Sequence, residues 1–266
     1  MGLVDIKHVS HTYFTPDSAT SALENITLYI NEGEFVSFLG PSGCGKTTLL
    51  SIIAGLFPPS KGTVLVDGLN PHKTNNLIGY MLQQDYLFPW KTIKENVLLG
   101  LEILGAANKG TEHDTLELLK QIGLNGVENQ YPGQLSGGMR QRAALVRTLA
   151  VQPKLLLLDE PFSALDYQTK LKLEDLVVDT LKAFQKTAVL VTHDIGEAIC
   201  MSDRIFLFSP RPGRLHQTFI IPDSLRKLTP FEARNHQDFP AFFQMVWKEL
   251  EGLESSGSYP SASSNI

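Results

Sequence analysis

The sequence predicts an α/β fold: a sheet core of mostly parallel strands, a small antiparallel β part, and a helical part nested inside the core. Three observations predict it. A glycine-rich stretch, GPSGCGKTT (40–48), joins a short apolar strand pattern, Phe35–Leu39, to a helix pattern. Two near-continuous apolar runs, KLLLLD and TAVLVT, read as strands covered on both faces. Between about residues 84 and 150 the apolar spacing turns helical.

Each element follows in order. VDIKHV and ITLYI alternate as half-buried strands, with TYFTPDSATSA between them as a polar loop carrying the aromatic pair Tyr13 and Phe14. KTTLLSIIAGLF reads as a helix, GTVLVDG as a short strand ending in a turn, and LIGYML as another strand. TIKENVLLGLEIL, TEHDTLELLKQIGL and GGMRQRAALVRTLAVQP are helical, the last stopped by Pro153. RIFLF and GRLHQTFII add strands, and DFPAFFQMVWKEL reads as one amphipathic helix. The predicted organisation is a main domain over 1–222, a helical extension over 223–254, and a small polar tail from 255 that is expected to be disordered.

Bulk properties exclude several classes. A net charge of −5 gives no domain-wide basic footprint, so nucleic acid is not an expected partner. Two cysteines, Cys44 and Cys200, are too few for a disulfide framework and point to a reduced compartment. No run of 18 apolar residues suggests a membrane span, the N-terminus lacks a signal-peptide core, and its Met-Gly start has no second membrane signal beside it.

The chemistry concentrates at strand ends. GPSGCGKTT matches G-x4-G-K-[ST] through Gly40, Gly45, Lys46 and Thr47. The loop Gly40, Pro41, Ser42, Gly43, Cys44, Gly45 and on through Thr48 is expected to cradle phosphates with the backbone N–H groups of its non-proline residues, with a helix dipole behind them. Lys46 is expected to reach the β- and γ-phosphates, and Thr47 to offer its hydroxyl to Mg²⁺. Asp159 and Glu160 follow a buried strand: one carboxylate suffices to hold a hydrated Mg²⁺, and the other to take a proton from the attacking water. His193 closes another strand and can hydrogen-bond the γ-phosphate and the water. Gln83, with Gln84 as the competing choice, can contact Mg²⁺ or water. Tyr13, with Phe14 as its competitor, can stack on adenine.

LSGGMRQR (135–142) stands apart. Ser136 can cap a helix, but Gly137 and Gly138 then fill its first turn, each costing about 1 kcal/mol against Ala. Arg140 and Arg142 put positive charge near the positive end of the dipole. Local stability does not explain this start.

Assembled in order, GPSGCGKTT, LQQ, LSGGMRQR, LLLLDEP, SALD and VTHD resemble the ATP-binding subunit of an ABC transporter, over residues 3 to 220. The resemblance implies a P-loop NTPase cassette with a RecA-like mixed sheet core, an antiparallel β subdomain and a nested α-helical subdomain. It implies ATP and Mg²⁺ as cofactors, and a head-to-tail pair of cassettes, homo- or heterodimeric. Ser136, Gly137, Gly138 and Gln141 would then contact the partner's nucleotide and Asp166 would cross the interface. Glu160 would be the catalytic base, Asp159 the Mg²⁺ residue, His193 the switch histidine, and Gln83 the glutamine that couples Mg²⁺ to the membrane side. The sequence departs from the family at none of these positions.

The chain has one cassette, no membrane helices and no long coiled coil. That fits a stand-alone subunit on the cytoplasmic face of a membrane, docked onto separate permease subunits and served indirectly by a substrate-binding protein. LFPWKTIKENV and SPRPGRL are similar to subunits importing nitrate, sulfonate, taurine or related solutes, a subgroup that includes uptake of thiamine-precursor pyrimidines. SPRPGRL also reads as a plain Pro-Gly turn. The competing reading is a soluble ABC ATPase acting on nucleic acid or protein without a membrane partner.

Overall fold

The apolar runs and glycine turns settle into two sheets in the computed structural model, which describes residues 2–73, 77–163 and 165–256. Five short strands run parallel: β3 (Phe35–Leu39), β5 (Ile78–Met81), β6 (Leu155–Asp159), β7 (Thr187–Val191) and β8 (Arg204–Phe208). With β9 (Leu215–Ile220) antiparallel at one edge, the order is β5-β6-β7-β3-β8-β9. Every residue of β3, β6 and β7 is buried. Alternate side chains leave a strand on opposite faces. Leu156 and Leu158 therefore pack toward α4 (Gly137–Ala150) and α5 (Tyr167–Ala183), while Leu155 and Leu157 pack toward α1 (Lys46–Ile53) and the second sheet.

That second sheet is antiparallel, ordered β2-β1-β4, from β1 (Val4–Thr15), β2 (Ser18–Ile30) and β4 (Lys61–Val66). Here the sequence reading needs correction. The stretch expected as a polar loop continues both strands to a tight hairpin closed by Thr15 and Ser18. Thr12, Tyr13 and Thr20 are residue types that fit a pleated surface, and cross-strand pairing outweighs the polarity of the segment.

The helical part comprises α2 (Ile93–Ile103), α3 (Lys109–Gln121) and α4, all within the span expected to be helical. Thr92 and Glu95 form a capping box on α2, and Asn108 caps α3. Helix α1 stops at Ile53 rather than reaching Phe57, because Gly55 turns the chain at φ 74°.

The C-terminal segment is helical, with DFPAFFQMVWKEL from Phe239 on falling in one helix. After α6 (Ile195–Met201) and β9 it forms α7 (Asp223–Arg226), α8 (Pro230–Arg234) and α9 (Phe239–Ser256). Phe242 and Val246 of α9 pack with Ile195, Ile199, Phe219 and Ile221, so the extension shares a core with the main sheet. Residues 255 and 256, expected in the polar tail, belong to α9, and 257–266 lie outside the described residues. Among the described residues no helix is long and apolar enough to cross a membrane.

Candidate functional site

The phosphate loop lies at the carboxyl end of β3, where open parallel sheets gather their ligands. Gly43 (φ 74°) and Gly45 (φ 94°) take left-handed backbone conformations, and Gly45 is the N-cap of α1. The Lys46 ammonium is buried and donates to the carbonyls of Gly40 at 2.7 Å and Pro41 at 2.9 Å, which holds it over the loop. Ser42 is exposed, whereas the Cys44 thiol is sealed in the core and burial pushes its pKa up. A cavity of about 370 Å³ opens here, lined by Tyr13, Ser42, Gly43, Lys46, Thr47 and Thr48 together with Gln83 and Glu160. The Tyr13 hydroxyl donates to Thr48 Oγ1 at 3.2 Å, and its ring meets His11 edge-on. Phe14, 77% exposed, does not line this cavity.

Thr47 Oγ1 donates to Asp159 Oδ1 at 3.1 Å, bringing a hydroxyl and a carboxylate together at the loop. Asp159 is almost fully buried, and burial pushes its pKa up to about 6, the Thr47 bond pulling it back. Its charged form is under-compensated by the protein. Oxygen-only donors beside a phosphate loop suit Mg²⁺, which takes one or two protein ligands and completes its shell with phosphate and water.

Glu160 is the point where separate elements converge. Gln83 Nε2 donates to its Oε2 at 3.2 Å, His193 Nδ1 lies 3.3 Å from its Oε1, and Gln141 Nε2 donates to its backbone carbonyl at 3.3 Å. Glu160 itself sits at φ 49°, a strained conformation for a non-glycine residue, held by its N–H on the Val191 carbonyl at 2.9 Å. The His193 loop is fixed from behind. Asp194 caps α6 through Gly196 and Glu197, and Lys170 bridges Asp194 at 2.7 Å and Glu197 at 2.5 Å. Arg234 of α8 grips the fully buried Glu174 through both carboxylate oxygens, at 2.8 and 2.7 Å.

Ser136, Gly137, Gly138 and Asp166 do not join this cluster; none lines the phosphate-loop cavity. Ser136 caps α4 by accepting from Met139 N–H at 3.3 Å, and Asp166 caps α5 through Thr169. A Cβ at Gly137 would meet only Arg140 Nη2, at 3.9 Å, so the chain's own packing does not demand glycine there. The two arginines are also less costly than the sequence suggests. Arg140 pairs with Asp85 at 3.0 Å and donates to the Leu135 carbonyl, and Arg142 donates to the Ile122 carbonyl at 2.7 Å.

Two residues escaped the sequence reading. Asn96 is buried and donates to the carbonyls of Phe88, Lys91 and Thr92 while accepting from Phe88 N–H at 2.7 Å. It thereby shapes the loop that leaves Trp90 71% exposed. Its only signal was a polar residue on the apolar face of a helix. Arg211 lines the phosphate-loop cavity from the β8–β9 loop, and its one signal was its place in the SPRPGRL stretch.

Fold and site together define a P-loop ATPase: a phosphate loop, a buried carboxylate bonded to the loop threonine, and a second carboxylate gathered with a glutamine and a histidine. The sequence profile of the ABC transporter family matches residues 23–163. The chain is 61% identical, over 254 residues, to the uncharacterized ABC transporter ATP-binding protein YtlC of Bacillus subtilis, covering 96% of this chain and 98% of that one. It is 40% identical over 225 residues to the taurine import ATP-binding protein TauB of Ruegeria pomeroyi, covering 84% and 83%. Among solved structures, the dimeric post-hydrolysis state of the ATP-binding cassette MJ0796 bound to ADP and Pi superposes with a TM-score of 0.75 at 37% identity, over 82% of this chain and 99% of that one. The chain belongs to the ABC transporter family, as an ATP-binding, ATP-hydrolysing cassette.

Proposed function

We propose that this cassette energises an importer. Two cassettes close head to tail over ATP, the closure passes to separate permease subunits through the Gln83–Trp90 loop, and hydrolysis resets the pair. The observation that carries this reading is the split of the site. The phosphate loop, Asp159, Glu160, Gln83 and His193 gather within one chain, while Ser136, Gly137, Gly138 and Asp166 stay outside its cavity at helix starts. Helix N-termini with exposed glycine suit a phosphate arriving from another chain.

In this reading Glu160 takes the proton from the attacking water, and His193 orients that water and the γ-phosphate. Gln141, on the same helix as the LSGG turn, ties the partner-facing segment to the Glu160 backbone. Thr47, Asp159 and Gln83 would hold Mg²⁺, which neutralises charge on the β- and γ-phosphates when bound. Tyr13 stacks on adenine, a role its place on the cavity wall supports better than that of Phe14.

The exposed aromatics Tyr86, Phe88 and Trp90 are the side chains offered to the permease, so the protein works at the cytoplasmic face of a membrane. Similarity to a taurine-importing relative supports a solute of the nitrate, sulfonate or taurine kind, delivered by a substrate-binding protein. The test is extraction in mild detergent followed by pull-down of the intact chain. Permease subunits should co-purify and Trp90→Ala should release them. Recovery only with ribosomes, DNA or soluble proteins would overturn the importer reading in favour of a cassette without a membrane partner.

A further inference from the structure

We propose that Arg211 is a nucleotide-binding residue of this site, its guanidinium gripping the phosphate chain of ATP from the rim of the phosphate loop. The proposal deepens the ATP-binding reading of the cavity and rests on it.

Arg211 reaches the loop from the β8–β9 connection. Its Nε donates to the Gly43 carbonyl at 3.1 Å, and it lines the cavity with Ser42, Gly43, Lys46 and Thr48. Gly43 makes that approach possible: a Cβ there would lie 2.6 Å from Arg211 Nη2, so any side chain would displace the guanidinium.

The connection carrying Arg211 is pinned by backbone. Ser209 N–H donates to the Arg214 carbonyl at 2.9 Å, Gly213 N–H to Ala22 at 2.9 Å, and Glu24 N–H to Gly213 at 2.9 Å. A Cβ on Gly213 would lie 1.9 Å from the Cys44 carbonyl oxygen, so the connection rests directly on the phosphate loop. The Arg211 side chain is not needed to hold it there. A head group presented from so fixed a base loses little freedom on binding.

Among the described residues the charge has no carboxylate partner. Arg214 on the same connection pairs with Glu24 at 2.8 Å, and Arg204 at the far end of β8 with Glu34. Arg211 pairs with no carboxylate among the described residues, and its single protein acceptor is Gly43. A guanidinium carries five donors in a planar fork, so most remain for an incoming anion, and phosphate oxygens fit that fork. An unneutralised cation beside a phosphate-binding loop favours a triphosphate over an uncharged nucleoside.

The test compares two substitutions in the intact chain. Arg211→Gln keeps an N–H donor for Gly43 and removes the charge; Arg211→Lys keeps the charge. MgATP is titrated by calorimetry, and adenosine by saturation-transfer NMR. Arg211→Gln should weaken MgATP about tenfold, the scale of one charge-assisted hydrogen bond at a partly wet site, and flatten the salt dependence of Kd. Adenosine binding should not change, and Arg211→Lys should stay within about threefold of wild type. Wild-type affinity for MgATP in Arg211→Gln would overturn the proposal, as would equal weakening of adenosine and MgATP, which would reduce Arg211 to a tether for the loop. Failure of the wild-type chain to bind MgATP would instead sink the ATP-site reading beneath it.

Discussion

His193 Nδ1 stands 3.3 Å from Glu160 Oε1, while the Gln83 amide donates to the other carboxylate oxygen, Oε2. The base proposed for hydrolysis is thus held between two groups from two other strand ends. Glu160→Gln keeps this geometry and removes the proton acceptor. Hydrolysis should fall by roughly 10²–10⁴-fold while MgATP binding persists, and the variant should accumulate as a dimer in ATP. Phosphate release and light scattering measure the two effects. Normal turnover would show that Glu160 is not the base.

The same residue stores backbone strain. At φ 49°, Glu160 occupies a region where glycine costs nothing. Glu160→Gly should therefore raise the urea midpoint, with a gain of up to about 1 kcal/mol, while abolishing turnover. A loss of stability in that variant would mean that the Gln83 and His193 bonds outweigh the strain.

Ser136→Arg or Gly137→Asp places bulk or negative charge where the partner's triphosphate is proposed to arrive. Because neither position lines the chain's own cavity, MgATP affinity of the monomer should change by less than about threefold. ATP-driven dimerisation and hydrolysis should both disappear. If the monomer lost its nucleotide instead, these residues would serve the chain's own site.

Arg234→Ala should leave Glu174 buried without its cation, a change that costs about 3–5 kcal/mol. Burial already pushes the Glu174 carboxyl above its ordinary value of 4.5, with Arg234 pulling it back, so removing Arg234 raises it further. A raised carboxyl pKa takes stability away as pH rises through the interval between the unfolded and folded values. With the paired carboxyl already pushed up to about 7, the deficit should open as pH rises through 7, grow above it, and be absent toward pH 4.5. Urea melts across pH, with Glu174→Gln in the Arg234→Ala background as the control, check the sign.

Neither cysteine should be reactive in the folded chain. Burial pushes Cys200 up to about 12 and also raises Cys44, despite the Lys46 ammonium 3.7 Å from its sulfur. A thiol reagent at pH 8 should modify neither until urea unfolds the protein. Rapid labelling of Cys44 in native protein would mean that the phosphate loop opens far more often than its packing suggests.

Much of the core and of the phosphate site was legible because both write themselves into short stretches. Leu155–Leu158 can only be a covered strand, and GPSGCGKTT can do little but wrap phosphate. Gln83, His193 and Glu160 were legible only as an ordered set of stretches, since residues far apart in the chain meet there, whereas Gln141, expected at the partner's nucleotide, holds the Glu160 backbone of its own chain. What stayed hidden depends on long-range pairing. The Thr12–Ala22 segment is polar by composition and becomes strand only because β1 and β2 pair along their length. Asn96 and Arg211 lie within LFPWKTIKENV and SPRPGRL, and Arg234 in no quoted stretch, yet none of the three showed its role there; each matters through what other elements bring to it. The charge at the start of α4 misled for the same reason, because Asp85 and the Ile122 carbonyl lie in other segments.

Arg140 and Arg147 of α4 both hold the segment after Gln83, through the Asp85 carboxylate and through the carbonyls of Asp85 and Tyr86 at 2.8 Å. The helix that begins with LSGG is therefore bolted along its flank to the loop proposed to meet the permease. At 14 residues it is a rod of about 21 Å. Under the importer reading, a tilt set at its glycine end arrives at Trp90 as a displacement rather than as a softening, so the stroke delivered to the membrane is fixed by lever length and loses little to slack.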